Sequence, residues 1–277
     1  MTAGPFDARL LRRRLERRVP PFDPLLRDEI AWRLVDRLAS MRRRFERVLE
    51  LAAVDDALER AMARAGLPPF PFHVKAAPAP APRAVAGPSV LADPEFLPFA
   101  DAGFDLVIAA GGLHWCNDLP GVLVQIRAVL GRDGLFLAGF PGGATLVELR
   151  TCLVEAELEL TGGASPRVAP MVDLADAAAL LQRAGFSSPV ADLERVALAY
   201  RDPARLLADL RAMRESAAFA SELRRPLRGS VVRRALELYR ERFRGPEGTH
   251  PATLDLVFLA GFGGRPEPRE GRSVRRA

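Results

Sequence analysis

Lysine, cysteine and long apolar runs are nearly missing from this sequence, and each absence narrows the classes of protein to consider. The two cysteines, Cys116 and Cys152, lie in no CxxC or Cys/His spacing. They therefore indicate neither a disulfide framework nor a zinc site, and they suit a reducing compartment. No apolar stretch approaches the roughly 20 residues that a membrane-spanning helix needs, so we expect no membrane insertion.

Lys75 is the one lysine, so 39 of the 40 basic residues are arginine. Such one-sidedness is more typical of biased codon usage than of selection for arginine chemistry. The net charge of +5 is also uneven: residues 1–47 carry +6 and residues 264–277 carry +3, while residues 48–263 carry −4. Basic ends could bind an acidic partner or nucleic acid. Because no interleaved aromatic residues or nucleic-acid motif accompany them, we expect solvated helix faces instead.

Length and apolar content are sufficient for one large domain. A chain of 277 residues with 49% apolar residues can bury roughly three quarters of its unfolded surface. A charged fraction of 27% argues against a disordered chain. The first residues lack the apolar stretch of a secretion signal, and Asp7 and Glu16 argue against an arginine-rich organellar leader. The sequence therefore favours a cytoplasmic location.

Helical and strand patterns alternate along most of the chain. Apolar residues with helical spacing predict helices over 8–18, 24–39, 56–65, 119–130, 144–160, 174–184 and 203–243, the last broken at Pro226. Short apolar runs predict strands over 47–51, 72–76, 104–109, 135–140, 190–200 and 253–262. Alternation of this kind predicts a parallel sheet with crossover helices, and the last two strands could form an antiparallel edge. Seven prolines within residues 68–88 restrict that region to the strand over 72–76, which we expect at a sheet edge.

Three segments carry a family resemblance. The first segment covers residues 91–99 and 104–107 and combines an acid, Leu-Pro-Phe and Phe-Asp-Leu-Val. The second covers residues 113–120 and reads LHWCNDLP. The third covers residues 142–150, GGATLVELR, and residues 165–170, SPRVAP. The first resembles the signature of class I S-adenosylmethionine (SAM) methyltransferases. The second resembles a narrower group with a mitochondrial complex I assembly factor and the biotin-pathway malonyl-carrier-protein methyltransferase. The third resembles the assembly-factor branch in particular.

The resemblance implies an α/β fold with a doubly wound, seven-stranded, mostly parallel Rossmann-like sheet. SAM would lie across the carboxyl ends of the strands, where loops and helix N-termini present amide donors. The assembly-factor branch is thought to act on an arginine of a complex I subunit, by hydroxylation rather than methylation. We expect a helical extension over 1–45, a methyltransferase-like domain over 46–263 with a helical insertion over 203–245, and a basic disordered tail over 264–277.

The resemblance also locates the cofactor site. In the family the first strand ends in an acid and a Gly-x-Gly-x-Gly turn; here Glu50 stands at the acid, and Ala52, Val54 and Asp56 stand at the glycines. Glu50 could still hold the SAM ammonium, directly or through water. Glycine serves this turn because the backbone approaches the ligand closely and can need a positive φ, for which the β-branched Val54 is poorly suited.

Two aspartates in this turn have two interpretations. As a ligand site, Asp55 and Asp56 would face the methionine carboxylate, and like charges about 4 Å apart repel by roughly 1 kcal/mol in water. As a helix start, the same segment fits a capping box in which Asp56 caps the helix and Glu59 reaches back.

Two further departures concern the ribose and the adenine. The family's second strand ends in an acid that binds both ribose hydroxyls, but residues 74–78 contain none. Asp93 matches the acid that contacts the adenine amino group, whereas the next residue, Pro94, lacks the N–H that the family points at the ring. The sequence thus predicts SAM as the ancestral cofactor and a degraded site for it.

The candidate catalytic residues are His114, Glu148 and Arg167. His114 follows the carboxyl end of a strand and could be a general base, a substrate contact or a packing residue. Its neighbour Trp115 favours packing, and Asp118 could cap the following helix. Glu148 lies two residues from Arg150, so these side chains point apart on a helix. Arg167 could bind a carboxylate bidentately or tie down a loop.

Three functions follow from these observations. The first is an enzyme that modifies a side chain of a protein substrate, such as a step in complex I assembly. The second is a non-catalytic relative that uses the fold, the helices over 203–245 and the basic ends to bind an assembly partner. A nucleic-acid methyltransferase rests on the arginine-rich ends alone and is the weakest of the three.

Overall fold

The computed structural model describes residues 4–17, 23–79, 87–220 and 226–264. Its strands are β1 (Arg47–Leu51), β2 (Phe72–Ala77), β3 (Ser89–Leu91), β4 (Phe104–Ala110), β5 (Leu130–Gly142), β6 (Ser187–Tyr200) and β7 (His250–Phe262). Its helices are α1 (Ala8–Glu16), α2 (Leu25–Ala39), α3 (Ala57–Arg64), α4 (Leu119–Val129), α5 (Val147–Thr161), α6 (Leu174–Arg183), α7 (Pro203–Ala212) and α8 (Gly229–Arg242). Short 3-10 turns cover Leu113–Trp115 and Pro246–Gly248.

The strands form one seven-stranded sheet in the order β3-β2-β1-β4-β5-β7-β6. Strands β1 to β5 pair in parallel, and β7 runs antiparallel between β5 and β6. The predicted parallel sheet with an antiparallel pair at one side is therefore confirmed. The strand order reverses between β1 and β4, and in doubly wound folds the crevice at the carboxyl ends of such strands is the usual ligand site.

Helices cover both faces of the sheet, so its central strands are buried on both sides. In β4, Leu106 and Ile108 pack with α2 and α3, whereas Val107 and Ala109 pack with α4 and α6. A third apolar cluster joins α5, α7 and α8 beyond the sheet. None of the helices in the described ranges has the length and apolar content to cross a bilayer.

The structure corrects two strand predictions. Strand β2 is not at the edge, because β3 pairs along its outer side. Strand β3 was not predicted, because three residues are too few to show a periodicity. The proline-rich region does reduce pairing: β3 is the shortest strand, and residues 80–86 lie outside the described part of the chain.

The helical insertion also differs from its prediction. Helix α7 ends at Ala212, well before Pro226, and the chain then runs as an irregular segment to residue 220. Arg214 in that segment has a φ of 61°, which cannot continue an α-helix. The predicted tail over 264–277 falls outside the described residues except for Gly264, and the domain boundaries stay predictions.

The amino-terminal segment packs against this irregular segment. Phe6 forms a β-bridge with Phe219, and both rings pack with Trp115 in a small apolar cluster. The Arg14 guanidinium donates to the carbonyls of residues 216 and 217, and that of Arg214 donates to the carbonyls of residues 15 and 17. These contacts hold α1 over the carboxyl edge of the sheet. The arginines of α1 are thus not all solvated, contrary to the sequence-based expectation.

Candidate functional site

A cavity of about 360 Å³ lies at the carboxyl ends of β1 and β4, beneath α1. We call it the cleft. Four of the five residues expected to contact SAM line it: Ala52, Val54, Asp93 and Pro94. The fifth, Glu50, lies in the sheet and does not contribute to the lining. Four residues that the resemblance assigns to the cofactor thus lie around one cleft, and charged side chains that the resemblance did not identify lie beside them.

The first of these is Arg27 of α2. It is only 6% exposed, and its Nη1 donates to the carbonyl oxygens of Ala52 and Ala110, both at 3.0 Å. Those carbonyls stand just beyond β1 and at the end of β4, so one guanidinium joins the two central strands where they open onto the cleft. The apolar pattern of α2 gives no sign of this role, because Arg27 simply follows a buried leucine in an amphipathic helix.

The turn after β1 retains one glycine-like backbone position. Ala52 has a φ of 53°, in the left-handed region that favours glycine. A methyl group on Gly112, which follows β4, would lie 2.3 Å from the Ala52 Cβ. Ala52 thus occupies space that Gly112 leaves open. The other two glycine positions, Val54 and Asp56, do not have a positive φ.

The predicted capping box is wrong. Asp56 occupies the N-cap position of α3 without a side-chain bond to the helix, and Asp55 instead accepts from the Ala57 N–H at 3.0 Å. The Asp56 Oδ1 lies 3.0 Å from the Nζ of Lys75, which also contacts Glu59. Lys75 is 1% exposed, and a buried ammonium requires charged partners more strongly than a helix end requires a second cap.

Glu50 belongs to a buried charged cluster between β1, β2 and α3. Its Oε2 lies 3.0 Å from the Nε2 of His73, and the His73 Nδ1 lies 3.7 Å from Glu59. Burial raises the pKa of Glu50, although His73 opposes the shift. Ligand atoms of these three residues lie within 4.8 Å of one another, as around a metal ion, but the Lys75 ammonium already supplies positive charge there.

This lining does not fit SAM held in the family's usual way. Strand β2 ends at Ala77, and Pro78 lines the cleft where an acid would bind the ribose. Asp93 is in place, but Pro94 offers no N–H. The Arg27 guanidinium is also bound to the turn that would receive the methionine end of the ligand, where it would repel the ammonium but attract the carboxylate.

A second, mainly apolar cavity of about 540 Å³ lies between α2, α5, α7 and the β6–β7 pair. We call it the apolar cavity. His114 and Arg167, two of the predicted catalytic residues, line it, whereas Glu148 does not. Trp115 and Glu215 line both cavities and so form the wall between them.

Glu215 is a buried carboxylate that the sequence analysis missed. Its Oε2 lies 2.9 Å from the His114 Nε2 and accepts from the Trp115 Nε1 at 3.0 Å. Burial opposes ionisation of Glu215, but the charges of His114 and Arg27 and these hydrogen bonds lower its pKa overall. His114 therefore has a fixed ring orientation at the wall of the apolar cavity. Glu215 lies in a segment that looked helical, so no spacing pointed to this pair.

The other predicted residues hold loops in place. Glu148 accepts from the Thr253 backbone at 3.1 Å and from its hydroxyl at 2.6 Å, which ties α5 to β7. Arg167 binds both carboxylate oxygens of Glu157, with Nε at 3.1 Å from Oε2. Of the two roles considered for Arg167, this geometry matches the loop tie. Asp118 accepts from the Gly121 N–H at 2.9 Å, so its predicted capping role is confirmed.

Comparison with known proteins now adds to this geometry. A family model described as a methyltransferase domain matches residues 37–138. The malonyl-[acyl-carrier protein] O-methyltransferase of Halorhodospira halophila is 32% identical over 276 residues, covering 96% of this chain and 92% of that protein. The chain belongs to the SAM-dependent methyltransferase superfamily.

Two further similarities cover only part of the other protein. The human mitochondrial arginine-hydroxylase NDUFAF5 is 41% identical over 174 residues, which is 63% of this chain and 50% of the human protein. The chain thus matches about half the length of that relative. The phosphoethanolamine N-methyltransferase 2 of Haemonchus contortus, in complex with S-adenosylhomocysteine, has a TM-score of 0.53 at 12% identity, covering 92% of this chain and 60% of that one. This last likeness shows the fold alone.

Proposed function

We propose that this superfamily member acts on a protein partner, as an assembly factor of the complex I type, and that its cleft no longer binds SAM with ordinary affinity. The similarity to the arginine hydroxylases supports the partner role. One observation carries the loss of affinity: Pro78 and Pro94 line the cleft where the family has an acid for the ribose and an N–H for the adenine.

The lining lacks groups that hold the cofactor in the family. Val54 stands at a glycine position of the turn, and Pro94 has no N–H to offer the adenine ring. The described lining offers no acid at the end of β2 to bind the ribose hydroxyls. Asp93 alone does not replace these contacts.

Calorimetry with SAM tests this part of the proposal. We expect no binding heat from the native chain at millimolar SAM. The variant Ala52→Gly/Val54→Gly restores two of the three glycine positions but neither the ribose-binding acid nor the N–H that Pro94 lacks, so it should also fail to bind. Micromolar SAM binding by the native chain would refute the loss of affinity.

A second candidate function is an enzyme that modifies a side chain of the partner. The observation that favours it is the His114–Glu215 pair beside an apolar cavity of about 540 Å³. An imidazole oriented by a carboxylate is a well-positioned proton acceptor. Intact-mass spectrometry of complex I subunits incubated with the chain and SAM tests this candidate. It predicts a SAM-dependent mass shift that His114→Gln abolishes; no shift in any subunit would leave the non-catalytic role.

We include a cytoplasmic location in the proposal. Cys116 and Cys152 are both free thiols, which suits a reducing compartment. The names of the arginine hydroxylases place those relatives in mitochondria. Fluorescence microscopy of the tagged chain in its own cell would decide between the two.

A further inference from the structure

An imidazole and two carboxylates meet where α3 lies over β1 and β2. In the parallel pairing of these strands Glu50 is opposite Lys75, and His73 comes two residues before Lys75. Side chains two residues apart on a strand point to the same face of the sheet. Glu59, in the first turn of α3, reaches this face from above and contacts both His73 and Lys75. Three separate elements thus bring Glu50, Glu59 and His73 to one place.

Each of these three side chains has a buried polar atom without a hydrogen bond. The atoms are the Glu50 Oε2, the His73 Nε2 and the Glu59 Oε2, none of which has a hydrogen-bond partner in the described part of the chain. Glu50 is only 3% exposed, so its carboxylate is removed from bulk water. Buried polar atoms are nearly always paired, because burying them unpaired is costly. Three such atoms at one place therefore point to a ligand.

The spacing of the three groups suits a metal ion. One ligand atom from each residue lies within 4.8 Å of the other two. The Glu50 Oε2 and the His73 Nε2 are 3.0 Å apart, but they are not aligned as a hydrogen bond. Two ligand atoms on a tetrahedral zinc ion, with bonds of about 2.0–2.1 Å, stand about 3.3 Å apart. A small shift of these side chains therefore lets both bind one ion.

Charge also favours a cation here. Three carboxylates, those of Glu50, Asp56 and Glu59, surround one ammonium. With His73 neutral, as metal binding requires, these groups sum to a charge of −2, which one divalent ion neutralises. The ammonium of Lys75 uses other atoms, because it contacts the Oε1 of Glu59 and the Oδ1 of Asp56. The Glu59 Oε2 is thus left for a second cation.

We propose that Glu50, Glu59 and His73 form a binding site for one divalent transition-metal ion such as zinc. Zinc accepts imidazole nitrogen together with carboxylate oxygen, whereas magnesium and calcium prefer oxygen alone. The partly exposed side chain of Glu59 provides the entry path. The ion joins β1, β2 and α3 beside the turn that lines the cleft. This inference is additional to the proposed function, since the three residues do not line the cleft and the partner role does not need the ion.

Zinc titrations of the chelator-treated chain test the site. By calorimetry we expect one equivalent of zinc to bind with micromolar or tighter affinity and to raise the melting temperature. His73→Gln and Glu59→Gln should each weaken binding at least about tenfold. His250→Gln is the matched control for loss of a histidine and should bind zinc as the native chain does. His250 lies on β7, where its Nδ1 contacts the Tyr200 carbonyl.

A second measurement separates coordination from folding. Circular dichroism verifies the fold of each variant, and visible absorption of bound cobalt(II) reports the ligand set. Burial raises the pKa of the Cys116 and Cys152 thiols, so we expect no cobalt–sulfur charge-transfer band. Equal zinc affinity of the native chain and the folded His73→Gln and Glu59→Gln variants would overturn the inference, as would no binding below millimolar zinc. Neither result bears on the proposed function, which the SAM titration tests separately.

Discussion

Lys75 shows what a single residue can contribute in a chain that otherwise uses arginine. Its ammonium is buried between Asp56 and Glu59 and beside Glu50. An ammonium is compact, whereas a guanidinium is a wide planar group, so the position does not accept arginine without repacking. The preference for arginine over lysine therefore has its one exception at a position where the smaller ammonium group fits.

Removing this charge should be costly. Lys75→Met leaves two acids facing a buried carboxyl, and breaking a buried ion pair costs about 3–5 kcal/mol. Because Asp56 and Glu59 are partly exposed, we expect about 2 kcal/mol less free energy of unfolding, measured by urea denaturation. Lys75→Met/Glu59→Gln should recover part of the loss. A change below about 0.5 kcal/mol would show that the cluster is not a stabilising unit.

Ala52 and Gly112 form a second local arrangement that can be tested. Gly112→Ala would place two Cβ atoms 2.3 Å apart and force a side chain onto a φ of 87°, so we expect a loss of about 2–3 kcal/mol. In the Ala52→Gly background the clash disappears and only the backbone strain remains. Urea denaturation of the double-variant cycle should give a coupling of at least about 1 kcal/mol between the two positions. Additive effects would contradict this packing.

The sequence predicted the contacts of individual side chains less well than it predicted the helices, the strands or the fold. It located Ala52, Val54, Asp93 and Pro94 in the cleft through the family resemblance, and it predicted the Asp118 cap from local spacing. It missed Arg27 and Glu215, whose roles depend on contacts between segments far apart in the chain. Periodicity and capping rules describe neighbours in sequence, and they carry no information about where a long side chain ends.

Elements were predicted better, because apolar periodicity reflects burial directly. The predicted bounds of α2, β1 and α4 agree with the structure to within about one residue. The errors fall where burial is weak or the pattern is short, as in β3, or where an irregular segment separates two helices, as after α7. The contact between α1 and that segment was outside the reach of any pattern.

This contact between elements leads to a prediction about local stability. Phe6 packs edge-on against Trp115 at 5.1 Å and stacks with Phe219 at 6.4 Å between ring centroids. Phe6→Ala should loosen α1 and the 213–220 segment together, because Phe6 packs against Phe219 and the two segments exchange guanidinium–carbonyl hydrogen bonds. Hydrogen-exchange mass spectrometry should show faster exchange in both segments and unchanged exchange in β4 and β5. Phe96→Ala, at a ring that is 69% exposed, is the control and should leave both segments protected.

At the scale of the whole molecule, the amino-terminal helices are part of the fold rather than an appendage to it. Ile30 and Leu34 of α2 are fully buried against the sheet, and Arg27 joins α2 to β1 and β4. The predicted boundary at residue 45 therefore separates sequence regions, and we do not expect it to separate folding units. The basic charge of the first 47 residues partly enters the cleft through Arg27, so it is not only a solvated face.

Equilibrium unfolding tests this unity. If α2 and the sheet fold together, far-ultraviolet and near-ultraviolet circular dichroism should report one coincident transition in urea. Leu34→Ala creates a cavity beneath the sheet and should lower the free energy of unfolding by about 2–5 kcal/mol, moving both transitions together. The exposed Leu25→Ala, at the start of the same helix, is the matched control and should shift neither by more than about 0.5 kcal/mol. Two separated transitions, of which Leu34→Ala moves only one, would make residues 1–45 an independent unit and would contradict this unity.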